Sequence, residues 1–273
     1  MSIVLPAIIL SAMGAAFGVA LAFASAAFSV KPDERIALVR GVLPGVNCAV
    51  CGYSGCDAYA SAVAAGAAAA NLCNVGGQAA AQRIGELLGI DAGNVAVKAA
   101  RVKCCGTDDA CGVKYDYDGI ESCAAASLAQ GGPKACVYGC LGYGDCVKAC
   151  IYGAAYIKNG AADVVASRCA ACGMCVKACP KRLIALYPVD ETYAVCCANK
   201  DRGAAVARYC SAGCIGCKRC AAVCRAGAIA VRDNLATIDP LICMRCGECA
   251  KACPRRCIQR FDCSLNRTSV LLP

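Results

Sequence analysis

The first thirty residues carry no charged side chain, and Ile3 to Val30 is a continuous run of apolar and small residues. That length suffices to span a bilayer as a helix. A signal peptide is the competing reading, and Ala22-Phe23-Ala24 resembles a cleavage site. No basic segment precedes the run, and it is long for a secretory h-region, so an uncleaved anchor is expected. Lys31, Arg35 and Arg40 follow at once and place the remaining chain on the cytoplasmic side. Gly14 and Gly18 allow close approach of a second membrane helix, although small residues are ordinary in such spans.

Beyond the anchor the pattern changes. Residues 31–42 read as a short charged linker. Asp57 to Asn71 is Ala-rich and predicts a helix, and Gln78 to Leu88 predicts another that stops at Gly89. Two later stretches alternate as hairpins. One spans Tyr156 to Val165 with Asn159-Gly160 at its turn. The other pairs Ile229–Val231 with Leu235–Ile238 across Asp233-Asn234.

Cysteine then decides the reading, at 29 of 273 residues. Nine cysteines, Cys123, Cys136, Cys140, Cys146, Cys150, Cys169, Cys172, Cys175 and Cys179, recur 74 residues later at the same spacings. The second copy is Cys197, Cys210, Cys214, Cys220, Cys224, Cys243, Cys246, Cys249 and Cys253. Such register implies a fixed arrangement of sulfur ligands. A disulfide scaffold does not account for repeated C-x2-C-x2-C-x3-C runs. Zinc sites made of four cysteines use two separated CxxC knuckles instead. Histidine is absent, which excludes Cys2His2 zinc, Rieske ligation, C-x-x-C-H haem attachment and histidine acid–base catalysis.

The runs Cys169–Cys179, Cys214–Cys224 and Cys243–Cys253 follow the bacterial ferredoxin pattern, in which the fourth cysteine serves the neighbouring cluster. Cys214, Cys217, Cys220 and Cys253 therefore form one expected set. Cys243, Cys246, Cys249 and Cys224 form a second, and Cys169, Cys172, Cys175 and Cys150 a third. The remaining run departs, because Tyr143 stands where Cys217 stands in the second copy. There Cys140, Cys146 and Cys179 take Cys136 as candidate fourth ligand, with a three-ligand [3Fe–4S] centre as the alternative. Cys48, Cys51, Cys56 and Cys73 complete a fifth set. A sixth could draw on Cys104, Cys123 and Cys136. The repeat also pairs Cys123 with Cys197 and Cys136 with Cys210, which ligation or buried thiols would equally explain. Cys105, Cys111, Cys196, Cys257 and Cys263 have no repeat partner and are read as non-ligating. Ile151 and Arg225 replace the proline that usually follows the fourth cysteine.

The expected architecture is α+β, built of small iron–sulfur modules. It comprises an anchor (1–30), a linker (31–42), an Ala-rich helical 4Fe-4S module (43–100) and a connector (101–122). Two tandem bacterial-ferredoxin-like domains (123–190 and 191–263) and a tail (264–273) follow. The formal charge of +9 counts cysteine as neutral. Five oxidised [4Fe–4S] centres with thiolate ligands would contribute about −10, so the basic balance is no argument for nucleic acid. Lys177, Lys181, Arg182, Lys218, Arg219, Arg245, Lys251, Arg255 and Arg256 crowd the runs. Offsetting cluster charge accounts for them, and docking an acidic redox partner is the second use.

The block Asn47–Ala60, the later Gly131-Gly132-Pro133-Lys134-Ala135-Cys136 with Cys140 and Cys146, and the tandem runs resemble one family over nearly the whole chain. That family is the B subunits of the Rnf complex, the ion-translocating ferredoxin:NAD+ oxidoreductase. The resemblance implies about five [4Fe–4S] clusters, with a possible sixth, in an electron-transfer subunit at the bacterial inner membrane. Its partners would be reduced ferredoxin and the other membrane and NAD- or flavin-binding subunits. An iron–sulfur subunit of a membrane hydrogenase or dehydrogenase is the alternative. The chain has no dinucleotide fingerprint and no acid–base machinery, so neither hydride transfer nor the ion path is expected in it.

Overall fold

A computed structural model describes residues 4–27, 33–189 and 193–261. Cys263 and the expected tail lie outside the described residues. Helix α1 (Val4–Ala27) is apolar throughout, and its window Ala7–Ser25 is long and apolar enough to cross a membrane. None of that window is buried against the rest of the chain. Gly14 and Gly18 have open space around them, so no described residue uses their small surface.

Residues 34–42 differ from the expected linker. They form helix α2 (Glu34–Val42), started by the Asp33 side chain accepting from the Arg35 amide. Ile36, Val39 and Leu43 repeat at i, i+3 and i+7 and face one core. Val39 is fully buried there with Tyr59, Val63 and Ile84. Helix α3 (Cys56–Ala64) ends seven residues before the predicted Asn71. Gly66 adopts φ +73° just after it, and the Tyr59 hydroxyl donates to the Ala69 carbonyl at 2.8 Å, folding the chain back. Helix α4 (Gly77–Leu88) closes at Gly89, whose left-handed φ of +66° suits glycine.

The remaining elements form two similar assemblies. In the first, strand β1 (Lys98–Val102) precedes helices α5 (Cys123–Leu128) and α6 (Asp145–Lys148). The hairpin β2–β3 (Ala155–Lys158, Ala161–Val164), helix α7 (Met174–Ala178) and strand β4 (Ile184–Pro188) follow. In the second, strand β5 (Tyr193–Val195), helices α8 (Gly203–Tyr209) and α9 (Arg219–Ala222), hairpin β6–β7 (Ile229–Arg232, Leu235–Ile238), helix α10 (Glu248–Ala252) and strand β8 (Ile258–Arg260) follow in order. Each assembly has an antiparallel outer pair, β1 with β4 and β5 with β8, and an inner antiparallel hairpin. Strand β1 therefore belongs with the first assembly, because Val102 pairs with Ile184 across the sheet.

Both cores are small and largely cysteine and alanine. The first packs Ala99, Ala100, Leu183 and Ile184 around Cys140, Cys146, Cys169 and Cys175. The second packs Ile229, Ala236 and Ile258 around Cys197, Cys214, Cys220 and Cys249. With so little aliphatic volume, the groups bound by the thiols must carry much of the folding energy.

Deleting residues 1–30 should give a chain that stays in solution without detergent and keeps its protease-resistant body, since α1 packs on nothing else described. Aggregation of that product, read by size-exclusion chromatography, would contradict the separation of the span from the body.

Candidate metal centres

Each cysteine run turns its thiols inward by the same backbone device. Residues in the left-handed region bracket the second position of the run: Ala171 and Gly173 around Cys172, Gly216 and Lys218 around Cys217, and Arg245 and Gly247 around Cys246. Gly142 and Gly144 bracket Tyr143 in the same way. The loop at Tyr143 thus keeps the ligand-bearing shape while the residue itself carries no sulfur. The Tyr143 ring instead packs against Tyr117, with centroids 5.7 Å apart.

The described thiols gather into six groups of four. In set one, burial pushes the Cys73 thiol up, the Gly76 amide opposes this, and Cys48, Cys56 and Cys51 add to the rise. In set two, burial and then the nearby Cys169, Cys172 and Cys150 push Cys175 up to about 11. In set three, burial and then Cys140, Cys123 and Cys179 push Cys146 up to about 12. Set four is taken as Cys104, Cys136, Cys197 and Cys210, in a cavity that Cys105, Cys111 and Cys196 also line. There burial raises Cys136, two donors oppose it, and Cys210 and Cys197 raise it further. In set five, burial raises Cys220 to about 11, with Cys214, Cys217 and Cys253 contributing. Set six is Cys224, Cys243, Cys246 and Cys249.

Sets three to six each line a cavity. No three His, Cys, Asp or Glu side chains among the described residues converge on a single metal ion. Tetrahedral zinc with Zn–S of about 2.3 Å needs sulfurs about 3.8 Å apart. All-thiolate sets at bacterial-ferredoxin spacings have the donor chemistry of an iron–sulfur cluster. Backbone amides already point at the sulfurs: Ala100 to Cys169 at 3.3 Å, Ala154 to Cys150 at 3.3 Å, Ala162 to Cys140 at 3.3 Å and Leu183 to Cys179 at 3.4 Å. Such donors stabilise anionic sulfur.

Cys136 does not join Cys140, Cys146 and Cys179. Cys123 stands there instead, in the cavity that those three line. Its helix α5 is fastened by Asp145, whose carboxylate accepts from the Ala124 amide at 2.9 Å and from Ser122 Oγ at 2.9 Å. Burial opposes ionisation of Asp145, but these donors outweigh it and hold the carboxyl below its usual range. The signal in sequence was Tyr143 itself, the one loop position of the run without a sulfur. Cys136 is held in set four by Asn199, a buried amide that donates to its sulfur at 3.1 Å. Asn199 also donates to the Tyr209 hydroxyl at 2.8 Å, and that hydroxyl donates to Asp201 at 2.6 Å.

Four described cysteines are left over, with Cys105, Cys111 and Cys196 lining the cavity of set four and Cys257 that of set five. Cys105 and Cys196 meet through a 3.1 Å backbone bond, Cys111 bridges to Cys210, and Cys257 Sγ lies 3.5 Å from Cys253 Sγ.

The sets follow one another in space. Lys177, on the helix that carries Cys175, donates to the Cys48 carbonyl at 2.9 Å, and the charge of Cys48 reaches Cys172. Cys175 acts on Cys146, which joins sets two and three. The Cys140 amide donates to Cys104 Sγ at 3.3 Å, and the Cys214 amide to Cys197 Sγ at 3.3 Å. Set four thus bridges the two assemblies, drawing two thiols from each side. Helices α9 and α10 pack together and join sets five and six.

Comparison with known proteins fits this arrangement. The FeS family of Fe-S cluster proteins matches residues 43–75, and the 4Fe-4S dicluster domain matches 213–257. The chain is 42% identical to the B subunit of the Na(+)-translocating ferredoxin:NAD(+) oxidoreductase complex of Acetobacterium woodii, over 94% of this chain and 78% of that one. It is 39% identical to the B subunit of the ion-translocating oxidoreductase complex of Methanosarcina acetivorans, over 92% and 96% of the two chains. The B subunit of a proton-translocating ferredoxin:NAD(+) oxidoreductase complex from Clostridium ljungdahlii is 39% identical over 94% and 92%. The chain belongs to the B-subunit family of ion-translocating ferredoxin:NAD(+) oxidoreductase complexes. It is an iron–sulfur electron-transfer subunit of a membrane-associated oxidoreductase complex.

Lys134 ties the segment after Cys104 to the turn of the β2–β3 hairpin. Its buried ammonium donates to the carbonyls of Gly106 at 3.0 Å and Gly160 at 2.7 Å and pairs with Asp108 at 3.1 Å. Gly160 sits at φ +68°, a conformation that suits glycine, and a Cβ there would push the Asp108 carboxylate aside. Lys134→Met orphans two carbonyls and should cost about 1–3 kcal/mol for each that water does not reach. Thermal unfolding at matched iron content checks this, and an unchanged midpoint would contradict it.

Proposed function

We propose that this chain binds six [4Fe–4S] clusters, one on each four-cysteine set, and conducts electrons between reduced ferredoxin and the NAD- or flavin-binding and membrane subunits. The observation that carries this reading is the unbroken succession of sets, in which each neighbouring pair shares a contact. Each cluster would supply one-electron exchange without proton chemistry of its own. The chain's residues fix the order of the sets, bury half of the cysteines in them, and aim amides at the thiolates to stabilise negative charge.

Sets two and three, and sets five and six, would each occupy a ferredoxin-like domain. Set one would occupy the small helical unit after the span, with the body on the cytoplasmic side as Arg35 and Arg40 imply. Set four would join the two domains. The 74-residue repeat supports that role, because Cys136 and Cys210 are repeat mates in the same set. Cys123 and Cys197 are repeat mates in different sets. Where Cys217 completes set five, Cys197 is released to the bridge.

Cys136→Ser in the assembled complex tests both order and function. Iron should fall by about four atoms per chain. Sets five and six should still reduce with ferredoxin, while ferredoxin-driven NAD+ reduction should stop. Cys105→Ser should keep its iron and its activity. Unchanged iron in Cys136→Ser, or persisting NAD+ reduction, would contradict the bridge.

A further inference from the structure

Of the described cysteines, Cys217 and Cys246 alone are exposed, and both belong to the last two sets. The loop over set six presents Leu241 at 94% exposure with Ile242 and Met244 beside it. Met244 and Arg225 both line the cavity of that set, so a partner resting on them would stand over its sulfurs. The Leu241 amide donates to Asp239 Oδ1 at 2.9 Å, which braces the loop in this outward pose.

Charge distinguishes this end from the other. Residues 214–261 hold nine Lys and Arg (218, 219, 225, 232, 245, 251, 255, 256, 260) against three acids (233, 239, 248). Residues 43–97 hold Arg83 against Asp57, Glu86 and Asp91. One of the acids near set six, Glu248, is paired with Lys251 at 2.8 Å. Arg225 lines the cavity of set six, Arg245 adjoins Met244 and Lys251 lies near Cys246, so cations flank the apolar loop. An apolar centre flanked by cations suits transient docking of an acidic protein. Six positive charges in excess also exceed the roughly −4 that two oxidised clusters with their thiolates would bring. Balancing cluster charge therefore does not consume the whole patch.

We infer that the surface formed by Leu241, Ile242, Met244 and Arg225 over set six is where a small acidic one-electron carrier docks, so that electrons enter the chain at set six. This rests on the reading of the chain as a cluster wire. The far end of the wire, set one, follows the membrane span in the chain and is the side that faces the membrane subunits. Electrons then run from set six to set one, and the two ends are told apart by charge: the basic end attracts the acidic carrier and the acidic end repels it.

The test uses the full complex with a small acidic two-cluster ferredoxin as donor, and a low-potential viologen as a donor that needs no protein docking. Leu241→Glu and Arg225→Glu should each raise the KM for ferredoxin by about tenfold or more while kcat changes little. Arg225→Lys should restore it. Reduction by viologen should stay at the unsubstituted rate, and the KM for ferredoxin should depend less steeply on salt in Arg225→Glu. An unchanged KM in both Glu variants would overturn the inference, as it would if another subunit covers the patch. Equal loss of both donors would also overturn it, since the residues would then serve the cluster rather than the carrier. Failure of ferredoxin to reduce even the unsubstituted complex, with viologen still active, would instead strike the functional reading.

Discussion

Four thiols cannot sit together in a buried pocket as four anions unless a cation stands between them. That constraint organises this protein. Burial and the mutual repulsion of neighbouring sulfurs raise thiols in set after set, as at Cys146, Cys175 and Cys220. A bound iron–sulfur core reverses the balance, because it replaces several protons with a multiply charged centre. Metal binding, folding and proton release are therefore one event. The cores explain why nothing else is needed: they are alanine and cysteine with a few β-branched residues, too thin to hold so many short elements alone.

The duplication shows how a wire is lengthened. Each assembly keeps the hairpin, the paired outer strands and the left-handed brackets that aim the sulfurs. Within the two cysteine runs that open each copy the ligand pattern differs at one loop position, where Tyr143 stands in the place of Cys217. In the first copy Cys123, on a helix seventeen residues before Cys140 and fastened by Asp145, stands beside Cys140, Cys146 and Cys179. In the second copy its repeat mate Cys197 lines the junction cavity. The junction then uses Cys104, a residue from outside the repeat, and the Asn199–Tyr209–Asp201 chain to hold Cys136. One substitution of ligand thus accompanies a centre that couples the two halves.

Much of this was legible in the chain. The runs at 169–179, 214–224 and 243–253 lie with the thiols their spacing pointed to, Cys150, Cys253 and Cys224. The hairpins at Asn159-Gly160 and Asp233-Asn234 declared themselves by turn residues and alternation. Ligands brought by tertiary packing were less visible. Cys123 reaches set three through a cap 22 residues away at Asp145, and set four gathers thiols as far apart as Cys104 and Cys210. Helix α2 hid behind its charges, although Ile36, Val39 and Leu43 carried the helical period. The overlong reading of α3 came from alanine propensity, which Gly66 and the Tyr59 hydroxyl override.

The central claim is that all six sets are filled alike. Iron, acid-labile sulfide and zinc measured per chain on anaerobically purified complex, after subtracting the metal of a complex lacking this subunit, test it most directly. About 24 irons matched by sulfide is the predicted result, four for each set. About 20 irons would leave one set empty, and zinc in place of iron would contradict the wire altogether.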